Sequence, residues 1–214
     1  MVDTFGELRF KSLWKKVDAK GSADKAYKQL IRLYTQPLRK YHNIQHILLG
    51  LGTIDRFADK FKDLNLVTLA WFYHDAIYNV LAKDNEKKSA ELFQKTFIDA
   101  GLSADFAKKG YDLILTTKHN GIAKTKDQRL FVDVDIAGLA NPRELYKAYS
   151  VAVKSEYTTG AGISRKEHLA MRKKFLTNFL AKEHIYSTEE FRVLYEEKAR
   201  KNLKAELVYV LKLI

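Results

Sequence analysis

The chain is predicted to be all-α, a single helical bundle over residues 1–214. Two Pro in 214 residues, apolar residues repeatedly spaced by three and four, and no alternation of strands with helices carry that prediction. The length suits one large domain, and 46% hydrophobic residues supply an ample core. The chemistry-bearing motifs fall at about 24–140, and the helices of about 141–214 are expected to pack on that core.

Taken in order, the first helix is expected over Ala23 to Thr35, with Tyr27, Leu30, Ile31 and Tyr34 on one face and Pro37 ending it. The next begins after Pro37-Leu-Arg-Lys-Tyr41 and carries His42 and His46 four apart on one face. Leu66 to Ala82, LVTLAWFYHDAIYNVLA, reads as a core helix, being too long for an ordinary buried strand. His74 and Asp75 interrupt it, which argues against a membrane span of about 20 apolar residues.

Lys83 to Lys88 is expected to be a polar connection, followed by a helix from Ser89 to Ala100 that Gly101 stops. Ser103 is placed to cap a helix through Phe106, Tyr111, Leu113 and Leu115. Lys118-His-Asn-Gly121 breaks that helix and opens a basic loop to Arg129. An apolar helix follows from Leu130 to Leu139 and holds Asp133 and Asp135. Asn141-Pro-Arg-Glu144 reads as a capped start with Pro at the first helical position. Thr158 to Gly162 reads as the most flexible linker, and Ser164-Arg-Lys-Glu167 and Ser187-Thr-Glu-Glu190 as capping boxes opening the last two helices.

Composition narrows the chemistry. The absence of Cys removes disulfides, thiolate zinc sites and cysteine nucleophiles together, leaving His, Asp and Glu as metal ligands. A net charge of +12 favours polyanions or phosphorylated small molecules as partners, although Lys and Arg are spread along the chain without a dominant block. Met1-Val-Asp-Thr-Phe5 runs into Glu7 and Arg9 without a basic and then apolar leader, so the cytoplasm is the expected compartment.

The centre of the chemistry is the His74-Asp75 pair. Buried side chains of this polarity are costly unless paired, hydrogen-bonded or bound to a metal. Neighbouring helical residues point about 100° apart, so the pair can converge on one ion from two sides, with further ligands from other helices. Four segments offer them: YHNIQHI (Tyr41 to Ile47), FYHDAIY (Phe72 to Tyr78), TKHN (Thr117 to Asn120) and FVDVDIAGL (Phe131 to Leu139).

The order His, then His-Asp, then Asp resembles the HD superfamily of metal-dependent phosphohydrolases. With NEKKSAEL at Asn85 to Leu92, it is similar to one bacterial branch of that superfamily, over most of the chain from about Tyr34 to the closing helix. The resemblance implies an HD-type helical bundle with the metal site in its core, ligated by His46, His74, Asp75 and Asp135. His42 is the competing first ligand and otherwise a residue that orients a neighbour. Asp133 lies about 200° around the helix from Asp135, so the two are not expected to share one ion. Asp135 is favoured because its apolar neighbours resemble the family's.

Two imidazoles and two carboxylates leave positions open on a six-coordinate ion for water and a phosphoryl oxygen. One divalent ion is expected, with Mn, Fe, Co, Ni, Zn and Mg not distinguished. His119 is the sole extra His in the interval for a second metal. The resemblance implies that Asp75 binds or orients the attacking water and that Glu86 is a catalytic-site acid orienting that water, with a surface salt bridge as the competing role of Glu86. Arg39, Lys118 and His119 are candidate phosphate contacts; Tyr41, Trp71, Phe72, Tyr73 and Tyr78 are read as core rather than as a base-stacking surface. Lys154, Glu156 and Tyr157 form a polar patch with no assigned chemistry, and His168 and His184 are read as structural.

The reading is therefore a phosphohydrolase for a phosphorylated small molecule, perhaps a nucleotide. The alternative is a non-catalytic, metal-stabilised helical module binding nucleotides or nucleic acid. An iron-dependent oxygenase ranks third, since the ligand set for a second metal is thin.

Overall fold

The structure, a computed structural model, describes residues 4–119 and 123–214. Among these the chain forms ten α-helices joined by short helical turns and loops, with no strand. The organising element is α4 (Leu64–Tyr73), buried at every position from Leu66 to Tyr73. A helix apolar on all sides must be surrounded. Around it stand α1 (Thr4–Lys16), α3 (Ile44–Arg56), α5 (Asn85–Asp99), α6 (Ala104–Leu115) and α7 (Lys126–Asp135). No helix among the described residues is long and apolar enough to cross a membrane.

A helix precedes the one expected first. Phe10, Leu13 and Trp14 of α1 are spaced as one helical face, and Phe10 meets Phe72 edge-on at a ring separation of 5.2 Å. Then α2 (Ala23–Tyr34) follows under a Ser22 cap, close to the expected bounds. Pro37 and the residues after it form turns, and α3 starts only at Ile44 under an Asn43 cap, so His42 lies outside it.

The apolar run to Ala82 is not one helix. The helix ends at Tyr73 with His74 as its C-cap, and side chains take over the backbone groups beyond that point. Arg39 donates to the carbonyls of Asp75 (2.6 Å) and Ala76 (2.7 Å). The Ser89 hydroxyl bonds both the N–H and the carbonyl of Ile77, and the Asn85 side chain bonds both groups of Asn79. Those bonds start α5 at Asn85, inside the expected polar connection. Gly101 takes φ +80° at its end, and Ser103 caps α6 as expected. Asn120 and Gly121, the expected break after α6, lie outside the described residues.

A Thr125–Gln128 capping box starts α7, which ends at Asp135; a 3-10 turn (Ala137–Ala140) completes the expected Leu130–Leu139 helix. In α8 (Arg143–Ser155) Pro142 occupies the cap position rather than the first helical turn. The expected flexible linker begins as a π-turn over Glu156–Gly160 with Glu156 buried. The Ser164–Glu167 box opens α9 (Arg165–Ala181) as expected. The second box does not form: α10 (Glu189–Leu211) is capped by Asp133, which accepts from the N–H groups of Ser187 (2.7 Å) and Thr188 (2.8 Å) and from the Thr188 hydroxyl (2.6 Å).

Candidate functional site

The first turn of α3 directs His46 toward the end of α4. Trp71 sets that approach: its indole N–H donates to the Ile47 carbonyl (2.9 Å), and its ring stacks on His74 at 4.0 Å and 21°. Gly50 makes the packing possible, since a Cβ there would fall inside the Trp71 ring. His74 Nδ1 lies 2.8 Å from the Trp71 carbonyl, which can only accept, so Nδ1 carries a proton and a neutral His74 offers its Nε2 lone pair to the centre.

Four side chains meet there. His46 Nε2 and His74 Nε2 are 3.1 Å apart, and Asp75 Oδ2 is 3.6 and 3.2 Å from them. Asp135 Oδ1, from the end of α7, is 3.5 Å from both imidazole nitrogens. Adjacent ligand atoms around a six-coordinate ion with bonds of about 2.1 Å stand about 3 Å apart, so the donor set fits a divalent cation with small adjustment. Among the described residues, His46, His74 and Asp75 have ligand atoms that all lie within 4.8 Å of one another, the spacing of a group that could hold a metal ion.

The electrostatics favour positive charge at this point. Burial acts against a charged His74, but the Asp75 and Asp135 carboxylates outweigh it and raise the imidazole to about 10. Burial likewise acts against ionised Asp75 and Asp135, yet the neighbouring imidazoles hold both below the usual carboxylate range, His74 for Asp75 and His119 foremost for Asp135. His46 moves the other way, lowered by burial and by the adjacent His74. A proton on His74 occupies the position that a metal would take, so protons and metal compete.

The open side is a cavity of about 290 Å³ with Tyr41, His42, Tyr78, Glu86 and His119 on its walls. His119 takes a left-handed backbone (φ 53°) and its Nε2 reaches Asp135 Oδ2 at 2.8 Å, so it belongs to the centre as the partner of Asp135. Glu86 lies on the cavity wall in the first turn of α5. Tyr41 and Tyr78 also face the cavity, whereas Trp71, Phe72 and Tyr73 are core.

Two expected phosphate contacts do not match the geometry. Arg39 is 6% exposed, and its guanidinium is committed to the carbonyls of His42, Asp75 and Ala76 and to Gln36, so it shapes the turn carrying Asp75. Lys118 is exposed and off the cavity wall, although Thr117 and His119 on either side of it line the cavity. His46 rather than His42 reaches the centre, and Asp135 rather than Asp133, which is spent on capping α10. His184 is exposed and His168 sits in another part of the molecule.

Glu156, which the sequence offers only within a patch of no assigned chemistry, organises the loop that carries His42. Its Oε1 accepts from the N–H groups of Lys40 (2.8 Å), Tyr41 (2.7 Å) and His42 (3.0 Å). Its Oε2 takes His42 Nδ1 (2.7 Å) and the Tyr78 hydroxyl (3.0 Å). Burial acts against a charged His42, but this carboxylate prevails and raises it above its ordinary value. The signal available was an acid on the stripe Tyr149, Ala152, Val153, Glu156, which faces inward.

The chain matches no protein-family model, no curated protein and no solved structure.

Proposed function

We propose that the protein is a metal-dependent phosphohydrolase that cleaves a phosphate ester of a small molecule, a nucleotide among the candidates. One observation carries the reading: His46, His74, Asp75 and Asp135 converge from three helices on one point beside an open cavity. The resemblance of their order to the HD superfamily supports the same class. A divalent cation bound by these four would supply Lewis-acid polarisation of a phosphoryl oxygen and activation of water.

The chain's own residues have separable roles. Trp71 and its carbonyl fix the His74 ring, and Arg39 fixes the turn that presents Asp75. Asp75, held as a carboxylate, can accept a hydrogen bond from the attacking water and orient it. Glu86 faces the same cavity and serves to orient that water. With Arg39 committed elsewhere, the group that meets phosphate is His42, whose imidazole Glu156 on Nδ1 biases toward its charged form and which lines the cavity.

The test is turnover by protein loaded with Mn²⁺ or Fe²⁺, using p-nitrophenyl phosphate, bis-p-nitrophenyl phosphate and a panel of nucleotides. Turnover is expected with at least one, and His42→Phe should lower kcat/KM about tenfold without changing metal content. No turnover with any substrate at full metal occupancy refutes the proposal.

A further inference from the structure

A second cavity, about 370 Å³ and so larger than the one at the His/Asp centre, opens between α8, α9 and α10. The two share no lining residue. This one lies within the size range of small-molecule sites. Leu169 and Val210 are buried on its walls, while Val151 and Tyr209 stand on them 66% and 62% exposed, large apolar groups with no cover of their own.

Charge on the walls is one-sided. Arg143, Lys147, Lys154, Arg165 and Arg172 face a single acid, Glu206. That acid is already satisfied by Arg172 Nε and Nη2, both at 2.8 Å, and by the hydroxyls of Tyr146 and Ser150. Lys147 is engaged by Glu144 outside the cavity. Lys154 and Arg165 have no ion-pair partner among the described residues.

Those two cations sit at one end of the cavity. Ser150 of α8 and Arg172 of α9 meet at Glu206, and the chain passes between the helices through the π-turn. Lys154, one turn beyond Ser150, and Arg165 and His168, before Arg172, therefore lie toward that turn. His168 is 7% exposed, and its Nδ1 has no hydrogen-bond partner among the described residues. Burial, Arg172 and Lys154 lower its pKa, so it is a neutral polar group in a cationic corner.

We propose that this cavity binds a small amphiphilic anion, its carboxylate or phosphate headgroup at Lys154, Arg165 and His168 and its apolar body along Val151, Leu169 and Val210. A cation would be repelled, and a fully hydrated anion would leave the apolar wall wet. Only a ligand with both parts matches the surface.

Isothermal titration of the full chain with decanoate below its micelle concentration tests this. Decyltrimethylammonium, with the same tail and opposite charge, is the control, and vesicles of anionic phospholipid distinguish a lipid surface from a free ligand. Saturable binding of one decanoate per chain is expected, at least about tenfold tighter than the cation. Lys154→Glu with Arg165→Glu should weaken it at least about tenfold, and Val151→Asp should weaken it too, whereas Lys201→Glu, on α10 but off the cavity wall, should change it less than about threefold. All four positions are exposed, and circular dichroism establishes that the variants fold. Equal affinity for both headgroup charges, indifference to the double reversal, vesicle binding without saturable decanoate binding, or a dimer dissociated by Val151→Asp that binds no decanoate would each overturn the proposal.

Discussion

Glu156 offers the sharpest test of how the site is held. Its carboxylate, 2% exposed, collects three successive backbone amides, an imidazole and a phenol. Glu156→Ala leaves those amides without their acceptor and a charged His42 without its counter-ion; breaking a buried pair in this way costs about 3–5 kcal/mol. Glu156→Gln keeps the shape and one acceptor oxygen, so about 1–3 kcal/mol is expected. For a chain of this size each kcal/mol moves Tm by about 2–4 °C, giving a loss of about 5 °C for Gln and about 12 °C for Ala.

The pH dependence has a definite sign. His42 is raised in the folded state, so its share of the stability is complete below the ordinary value of about 6.5 and is lost as pH rises through the folded value. Burial works against ionised Glu156, but His42 and the amides lower its pKa, so its share is present above the ordinary carboxylate range and is lost as pH falls through the folded value. The gap between parent and Glu156→Gln is therefore widest between these limits. Urea unfolding followed by circular dichroism at about pH 5.5 and about pH 8.5 should show a larger gap at the lower pH. A gap below about 0.5 kcal/mol at both would refute the assigned role.

Other perturbations address the rest of the site. Mn²⁺ at about 100 times its Kd should stabilise the parent by about 2.7 kcal/mol, read as a rise of about 5–10 °C in Tm; His74→Ala should abolish the rise, and a chelator should reverse it in the parent. Arg39→Met removes the donors to the Asp75 and Ala76 carbonyls, so urea unfolding should show a loss of about 2–4 kcal/mol, with weaker Mn²⁺ binding by titration calorimetry. Gly50→Ala forces the Trp71 ring off His74, and about 1–3 kcal/mol of overpacking should appear in unfolding together with altered near-ultraviolet dichroism. Unchanged stability in that variant would mean that Trp71 can move freely.

The sequence by itself determined the helical class, because apolar spacing at three and four and the scarcity of Pro are local properties of the chain. It also determined that His74 and Asp75, set in an apolar run, needed partners. Caps at Ser103 and Ser164 were legible because they are satisfied within a few residues. What crosses the fold was not. The end of α4 depends on Arg39, Ser89 and Asn85, and the start of α10 depends on Asp133, some fifty-five residues earlier. The same long reach decided which His and which Asp face the centre. Within Asp133 and Asp135, two near-identical settings on one helix, only the direction of neighbouring elements separates a helix cap from a group aimed at a cation. Arg39 beside YHNIQHI has the local sequence setting of an anion-binding fork, but its donors are bound to the carbonyls of His42, Asp75 and Ala76. Glu156 gave no sequence signal of its partners because they lie more than seventy residues away; burial, which forces every polar group to find a match, assigned it to the loop that carries His42.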